Sequence, residues 1–148
     1  DTIRQVESRG GAACIVMISV HNYEEVKETY DTSIAGELIV NISERIQRLV
    51  RPLDVVTYFS PGLFALVLIQ PNIKQCTAEC YKRIFDGVRL KSYTTTAGFQ
   101  PVSIGMSICA ATADTGAPTM GNMIKFATKE LDESVRTESI MVHHIIPE

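Results

Sequence analysis

The stretch Arg51-Pro52-Leu53-Asp54-Val55-Val56-Thr57-Tyr58-Phe59-Ser60-Pro61-Gly62-Leu63-Phe64 decides the fold. Its centre, Ser60-Pro61-Gly62, has the chemistry of a type II turn. Proline presets φ at the first central position, and glycine accepts positive φ at the second. On either side, Val55-Val56-Thr57-Tyr58 and the seven residues 63–69 are rich in β-formers. Two such runs around a tight turn predict a β-hairpin.

Working back from the hairpin, Leu38, Ile39, Ile42, Ile46, Leu49 and Val50 recur at helical spacing. They predict a helix over roughly 34–50. Pro52 disfavours the α conformation in the residue before it, so the helix ends near Val50 or Arg51. A break at Asp31-Thr32-Ser33 separates this helix from a shorter one over 23–30, with Val26 and Tyr30 facing the core and Asn22 as its N-cap. Before that, 12–20 is an almost unbroken apolar run of strand length, the pattern of a central strand covered on both faces. Residues 1–9 are polar and possess helical character ended by Gly10-Gly11, so 1–11 reads as the end of a preceding linker or helix.

Working forward, Gln70-Pro71-Asn72 is a loop, and 73–88 predicts a third helix with Cys76, Cys80, Ile84 and Phe85 towards one side. A strand-prone segment, 92–96, follows. In 101–109, Val102, Ile104, Met106 and Ile108 alternate with small residues, the period of a half-buried strand. Residues 114–118 form a loop by their turn chemistry. Met123, Ile124, Ala127 and Leu131 give an apolar face to a last helix over 120–136, and 140–146 closes the chain as a strand. The order β-α-α-β-β-α-β-α-β packs as an α/β (α+β) fold, a central mixed five-stranded sheet flanked by helices.

The 148 residues are expected to form one domain, 1–148, excised from a longer protein. A hydrophobic fraction of 45% suffices for a core. The net charge is −3 and no Lys/Arg block is present, which argues against nucleic acid as a partner. The longest apolar run is about half of what a membrane-spanning helix needs, so no direct membrane insertion is expected. The four cysteines, Cys14, Cys76, Cys80 and Cys109, fit no zinc motif and read as free thiols of a cytoplasmic protein, binding no metal.

These surroundings resemble the GGDEF family of bacterial diguanylate cyclase domains. In that family a helix ends in Arg-x-x-Asp, a strand follows, and the hairpin turn carries Gly-Gly-Asp/Glu-Glu-Phe. The Arg51-x-x-Asp54 pair keeps the family spacing, Ser103-Ile104-Gly105 matches the family's Ser-Ile-Gly strand, and 127–132 aligns with its Ala-Asp-x-Ala-Leu-Tyr helix. The resemblance covers 12–146. The turn itself departs from the pattern, because Ser60, Pro61, Gly62 and Leu63 replace the motif's first four residues and only Phe64 agrees. The family's metal carboxylates align with Ser19 and Gly62, and its guanine contacts with Lys27 and Gly36. Mg²⁺ prefers carboxylate oxygens, so the resemblance implies a chain that is not an enzyme and needs no cofactor.

What it implies instead is a receptor. Family members bind their product, cyclic di-GMP, at the Arg-x-x-Asp motif. Arginine offers a fork that matches guanine O6 and N7, and aspartate accepts from the guanine N–H edge. Arg51 and Asp54 are the matching residues. Arg-x-x-Asp at one prescribed position arises by chance about once in 300. The alternatives are an exposed helix-end ion pair, worth little, or an inherited motif without affinity. A further arginine, from the helix after the hairpin, completes the family's pocket. Aligning on Ala78-Glu79 puts Cys80 there, ungapped counting puts Lys82 there, and Arg83 shares the helix face of Cys80. The expected partners are cyclic di-GMP at Arg51, Asp54 and Arg83, and a second copy or another protein that receives the signal. The alternative is a nucleotide-independent interaction module.

Overall fold

A computed structural model describes residues 12–52, 54–70, 73–112 and 120–145. The expectations for 1–11, for the Pro71-Asn72 loop, for 114–118 and for Ile146 lie outside the described residues.

The expected sheet is present. Strands β1 (Ala12–Val20), β2 (Val55–Ser60), β3 (Leu63–Gln70), β6 (Ile104–Thr112) and β7 (Met141–Ile145) form it in the order β2-β3-β1-β6-β7. β1 runs antiparallel to β3 and to β6, β2 is antiparallel to β3, and β7 is parallel to β6. The sheet is therefore mixed. A parallel neighbour needs a crossover, here made by helices α4 (Met120–Lys129) and α5 (Leu131–Thr137).

Alternation along β1 divides the core into two layers. Cys14, Val16 and Ile18 join Phe64, Leu66 and Leu68 of β3 and Met106 and Ile108 of β6. Helices α1 (Tyr23–Thr29), α2 (Thr32–Leu49) and α3 (Ala78–Arg89) cover that layer. Ala13, Ile15 and Met17 face the other way, onto Met123, Ala127 and Leu131 of α4 and α5. The continuous apolar run of β1 is thus the consequence of helices on both faces.

Helix α2 buries Ala35, Leu38, Ile39, Ile42 and Ile46, the stripe that its periodicity predicts. It starts earlier than expected because Asp31 is its N-cap, accepting from the Ile34 N–H at 2.8 Å. It stops at Leu49, with Val50 extended ahead of Arg51-Pro52. Asp31→Ala should lower stability by about 0.5–2 kcal/mol. A urea midpoint that does not fall, at unchanged m-value, would show that this cap contributes nothing.

Six expectations are corrected. Tyr30 does not face the core with Val26 but is 47% exposed at the end of α1. The strand expected over 101–109 as half-buried is β6, which starts at Ile104 and supplies side chains to both core layers. Asn22 does not cap α1 with its side chain; its Nδ2 donates to Pro101 O and its Oδ1 accepts from the Ser103 N–H, both at 3.0 Å, tying the start of β6 to the end of β1. The 92–96 segment is not a lone strand. β4 (Tyr93–Thr95) pairs with β5 (Gly98–Gln100) as a separate hairpin, turning at Gly98 with φ +99°. The third helix is shorter than expected: a 3₁₀ turn, Ile73–Gln75, precedes α3, whose N-cap is Thr77. The last helix is broken at Glu130. The Ala127 carbonyl accepts from the Ser107 hydroxyl of β6 and from the Glu130 N–H three residues on, so the regular four-residue ladder is interrupted there.

Candidate functional site

Two places come into question, the turn of the β2–β3 hairpin and the cavity at the C-terminal end of α2.

The turn has the expected backbone. Gly62 sits at φ +76°, and its carbonyl accepts from the Val20 N–H at 2.7 Å, so the turn is held at the end of β1. A one-residue irregularity at Phe59 shifts the register between Tyr58 and Ser60 and leaves Phe59 half exposed. The Gly62 N–H is already used, donating to Tyr58 Oη at 2.7 Å. Burial pushes the Tyr58 hydroxyl's pKa up, and the Gly62 bond partly offsets this. Tyr23 packs on the other side; a Cβ added to Gly62 would lie 3.1 Å from Tyr23 Cβ. Ser19 Oγ is buried there without a hydrogen-bond partner among the described residues. A lone hydroxyl and two tyrosines offer no carboxylate, and they do not fit a divalent cation. No cluster of three or more metal-binding side chains occurs among the described residues. Lys27, on α1, is paired with Glu24 at 3.8 Å, and Gly36, on α2, brings no side chain.

The second place brings the three expected residues together. Arg51, Asp54 and Arg83 line one cavity of about 190 Å³, together with Gln70, Cys80 and Tyr81. Three elements build it: the end of α2, the second half of β3, and the first turns of α3. The Arg51–Asp54 pair is a closed local unit. Arg51 Nη2 donates to Asp54 Oδ1 at 3.0 Å, Nε to both carboxylate oxygens at 3.2 and 3.3 Å, and the Arg51 N–H to Oδ2 at 2.9 Å. The Asp54 N–H returns a bond to Arg51 O at 3.0 Å. The bonds to Asp54 raise the Arg51 pKa further, so the guanidinium stays charged.

Only one of the two groups is open to solvent. The Arg51 side chain is 54% exposed, but that of Asp54 only 6%. Asp54 therefore works from beneath. It fixes the Arg51 fork, while both Nη1 hydrogens and one on Nη2 remain available to something outside. Behind them, Tyr81 is buried and its hydroxyl accepts from Gln70 Nε2 at 2.8 Å. Sequence reasoning missed Gln70 and Tyr81, which no motif or spacing marks. Of the three positions weighed for an additional cation, Arg83 and Cys80 reach the cavity, whereas Lys82 pairs with Asp86 at 2.7 Å outside it.

The cysteines also separate. Cys14, Cys76 and Cys109 are buried and Cys80 is exposed; all four are free thiols. Cys76 lies ahead of α3, so Cys76 and Cys80 do not share a helix face as the spacing had suggested. His143 and His144 point to opposite faces of β7, as strand alternation requires. His143 stacks on Phe126 with ring centroids 4.8 Å apart, and His144 Nε2 lies 2.6 Å from Cys76 O.

Comparison with known proteins then supplies relatives. The family model described as "Diguanylate cyclase, GGDEF domain" matches residues 1–139. A search of curated protein sequences finds no significant match. Among solved structures, the isolated GGDEF domain of PA1120 (TpbB or YfiN) from Pseudomonas aeruginosa superposes with a TM-score of 0.81 at 15% identity, over 98% of this chain and 83% of that one. The GGDEF domain of DgcB from Caulobacter crescentus, in complex with c-di-GMP, gives 0.79 at 12% identity, over 97% and 84%. The diguanylate cyclase SiaD from Pseudomonas aeruginosa, in complex with its activator SiaC, gives 0.78 at 16% identity, over 96% and 55%. At these identities the likeness is one of fold.

The family match overturns the expectation that the chain is not an enzyme. The matching family is that of diguanylate cyclases. That expectation equated the lack of two carboxylates at aligned positions with the lack of a reaction. What is observed is the composition and packing of one turn, which measures no turnover.

Proposed function

Since the chain belongs to the GGDEF domain family of diguanylate cyclases, we propose that it binds cyclic di-GMP in the Arg51–Asp54–Arg83 cavity. On this reading it acts as a receptor that passes the signal to a second copy or a partner protein, in the cytoplasm. The observation that carries the reading is the Arg51–Asp54 unit. A half-exposed guanidinium is held in a fixed orientation by a nearly buried carboxylate, with Arg83 on the same cavity. Such a fork presents two parallel N–H donors, which guanine O6 and N7 or a phosphate can accept. Asp54 is largely occupied by Arg51, so its part is to aim the fork rather than to face the ligand alone.

The site also contains its own reporter. Cys80 is the one exposed cysteine and lines the cavity. Burial raises the Cys109 thiol to about 11; the hydrogen bond between Cys14 and Cys76 raises the first and lowers the second, but all three are buried away from the reagent. Alkylation of native protein should therefore label Cys80 first and the other three only on unfolding. Calorimetry should give a saturable heat with cyclic di-GMP, and the same concentrations should slow Cys80 alkylation. Binding without protection of Cys80 would place the ligand elsewhere; no binding at all would sink the receptor reading.

A nucleotide-independent interaction module is the second reading. It is favoured by β2, the edge strand among the described residues, where Val55 and Phe59 are 57% and 49% exposed.

A further inference from the structure

The β4–β5 hairpin does not belong to the main sheet, and its position along α2 creates a cavity of about 340 Å³. We infer that this cavity is a second binding site, for a nucleoside phosphate, with Arg45, Arg48 and Lys91 holding the phosphate and Phe99 stacking on the base.

Three observations carry this. The first is charge. Arg45 and Arg48 lie three residues apart on one face of α2, and Lys91 faces them from the segment before β4. No ion pair with any of the three is found among the described residues, although Glu44 lines the same cavity. In a chain of net charge −3, three cations against the single Glu44 carboxylate leave this concavity with an excess of positive charge suited to an anion.

The second is rigidity. Arg45 Nε donates to Gly87 O at 3.0 Å, which fixes the guanidinium and leaves its Nη hydrogens free. The hairpin is fastened to α2 by Asn41 Nδ2 donating to Thr94 O at 2.6 Å, and by the Thr96 N–H and hydroxyl donating to Glu37 Oε1 at 3.0 and 2.7 Å. Tyr93, whose hydroxyl donates to Val88 O at 2.8 Å, anchors the hairpin in the core. The walls are thus set before any ligand arrives, which lowers the ordering cost of binding.

The third is Phe99. It lines the cavity from β5 and is 74% exposed, the most exposed large apolar side chain among the described residues. Folding gains almost nothing from it. A planar ring at the rim of a cationic hollow fits a ligand that has an anionic part and a flat part, and aromatic stacking accepts any base. The volume falls in the range of small-molecule sites.

Titration of ¹⁵N-labelled protein with AMP, GMP and inorganic phosphate, followed by amide shifts, tests this. Nucleotides should move the amides of Arg48, Lys91, Thr94 and Phe99, and the effect should weaken as salt is raised. Arg48→Ala/Lys91→Ala should lose about tenfold or more in affinity for nucleotide and phosphate alike. Phe99→Ala should lose about fivefold or more for the nucleotides while keeping its response to phosphate. Arg51→Ala should leave all these shifts unchanged, so that failure here and failure of the cyclic di-GMP reading are separate results. No shifts in this cavity at millimolar nucleotide, or an undiminished response in the double variant, would overturn the proposal. So would equal affinity for phosphate and nucleotide.

Discussion

Arg51→Ala is expected to weaken cyclic di-GMP binding about fivefold to hundredfold, because one good bidentate guanine contact is worth about 1–3 kcal/mol. The fold should tolerate the change. The Arg51 side chain is 54% exposed, but the change leaves the Asp54 carboxylate, only 6% exposed, with the Arg51 N–H alone of its present partners, so a modest loss of stability accompanies it. Wild-type protein should gain melting temperature with ligand, and the variant should start from a somewhat lower melting temperature and lose most of that gain. Equal stabilisation of both would show that the ligand bypasses Arg51. Asp54→Ala is a poorer probe. Its carboxylate is nearly buried and caps the Arg51 N–H, so its removal costs stability as well as affinity. Arg51→Lys is the informative companion. It keeps the charge but loses the fork, and should bind almost as poorly as alanine if guanine or phosphate is gripped bidentately.

Phe64→Ala should destabilise the domain by about 3–5 kcal/mol, enough to bring a marginal domain close to unfolding. Phe64 is 1% exposed, sits in the larger core layer, and meets Tyr58 with ring centroids 5.1 Å apart. In the resemblance drawn from the sequence, it is also the residue of this turn that matches the family motif. Its burial gives that agreement a packing reason, independent of chemistry at the turn. The comparison is Phe59→Ala, five positions earlier and half exposed, which should change stability by no more than about 0.5 kcal/mol. Urea denaturation decides between them. A loss below about 1 kcal/mol for Phe64→Ala would mean that the hairpin refills the space.

What was legible in the sequence was what neighbours in sequence dictate. The unbroken run of β1, the stripe on α2 and the turn at Pro61-Gly62 are local patterns and led to the sheet, and the resemblance to the family, carried by Arg-x-x-Asp at its position before the hairpin, led to Arg51 and Asp54. The features that were missed depend on partners far along the chain. Asn22 is a good cap in isolation, but Pro101 and Ser103 take its amide. The last helix is periodic throughout, yet the Ser107 hydroxyl breaks its ladder from another element. The β4–β5 hairpin has strands of only three residues, too short for periodicity, and Gly98 was the sole mark of its turn. At the cavity, the resemblance to the family pointed to the arginine and the aspartate, but not to one lying nearly buried beneath the other.

The position of β1 has a consequence for how quickly this chain can fold. Its two partners both come late, since Ala12 faces Gln70 on one side and Thr112 on the other. β1, the first strand among the described residues, therefore waits for segments synthesised long after it, and closing such long loops costs entropy before any pairing returns it. Contacts of this separation slow folding relative to local ones, so α2 and the β2–β3 hairpin are the natural early structure and β1 the late arrival. Until then an apolar nine-residue strand stands uncovered on both faces and both edges. That interval, rather than the finished fold, is when this sequence is most open to aggregation.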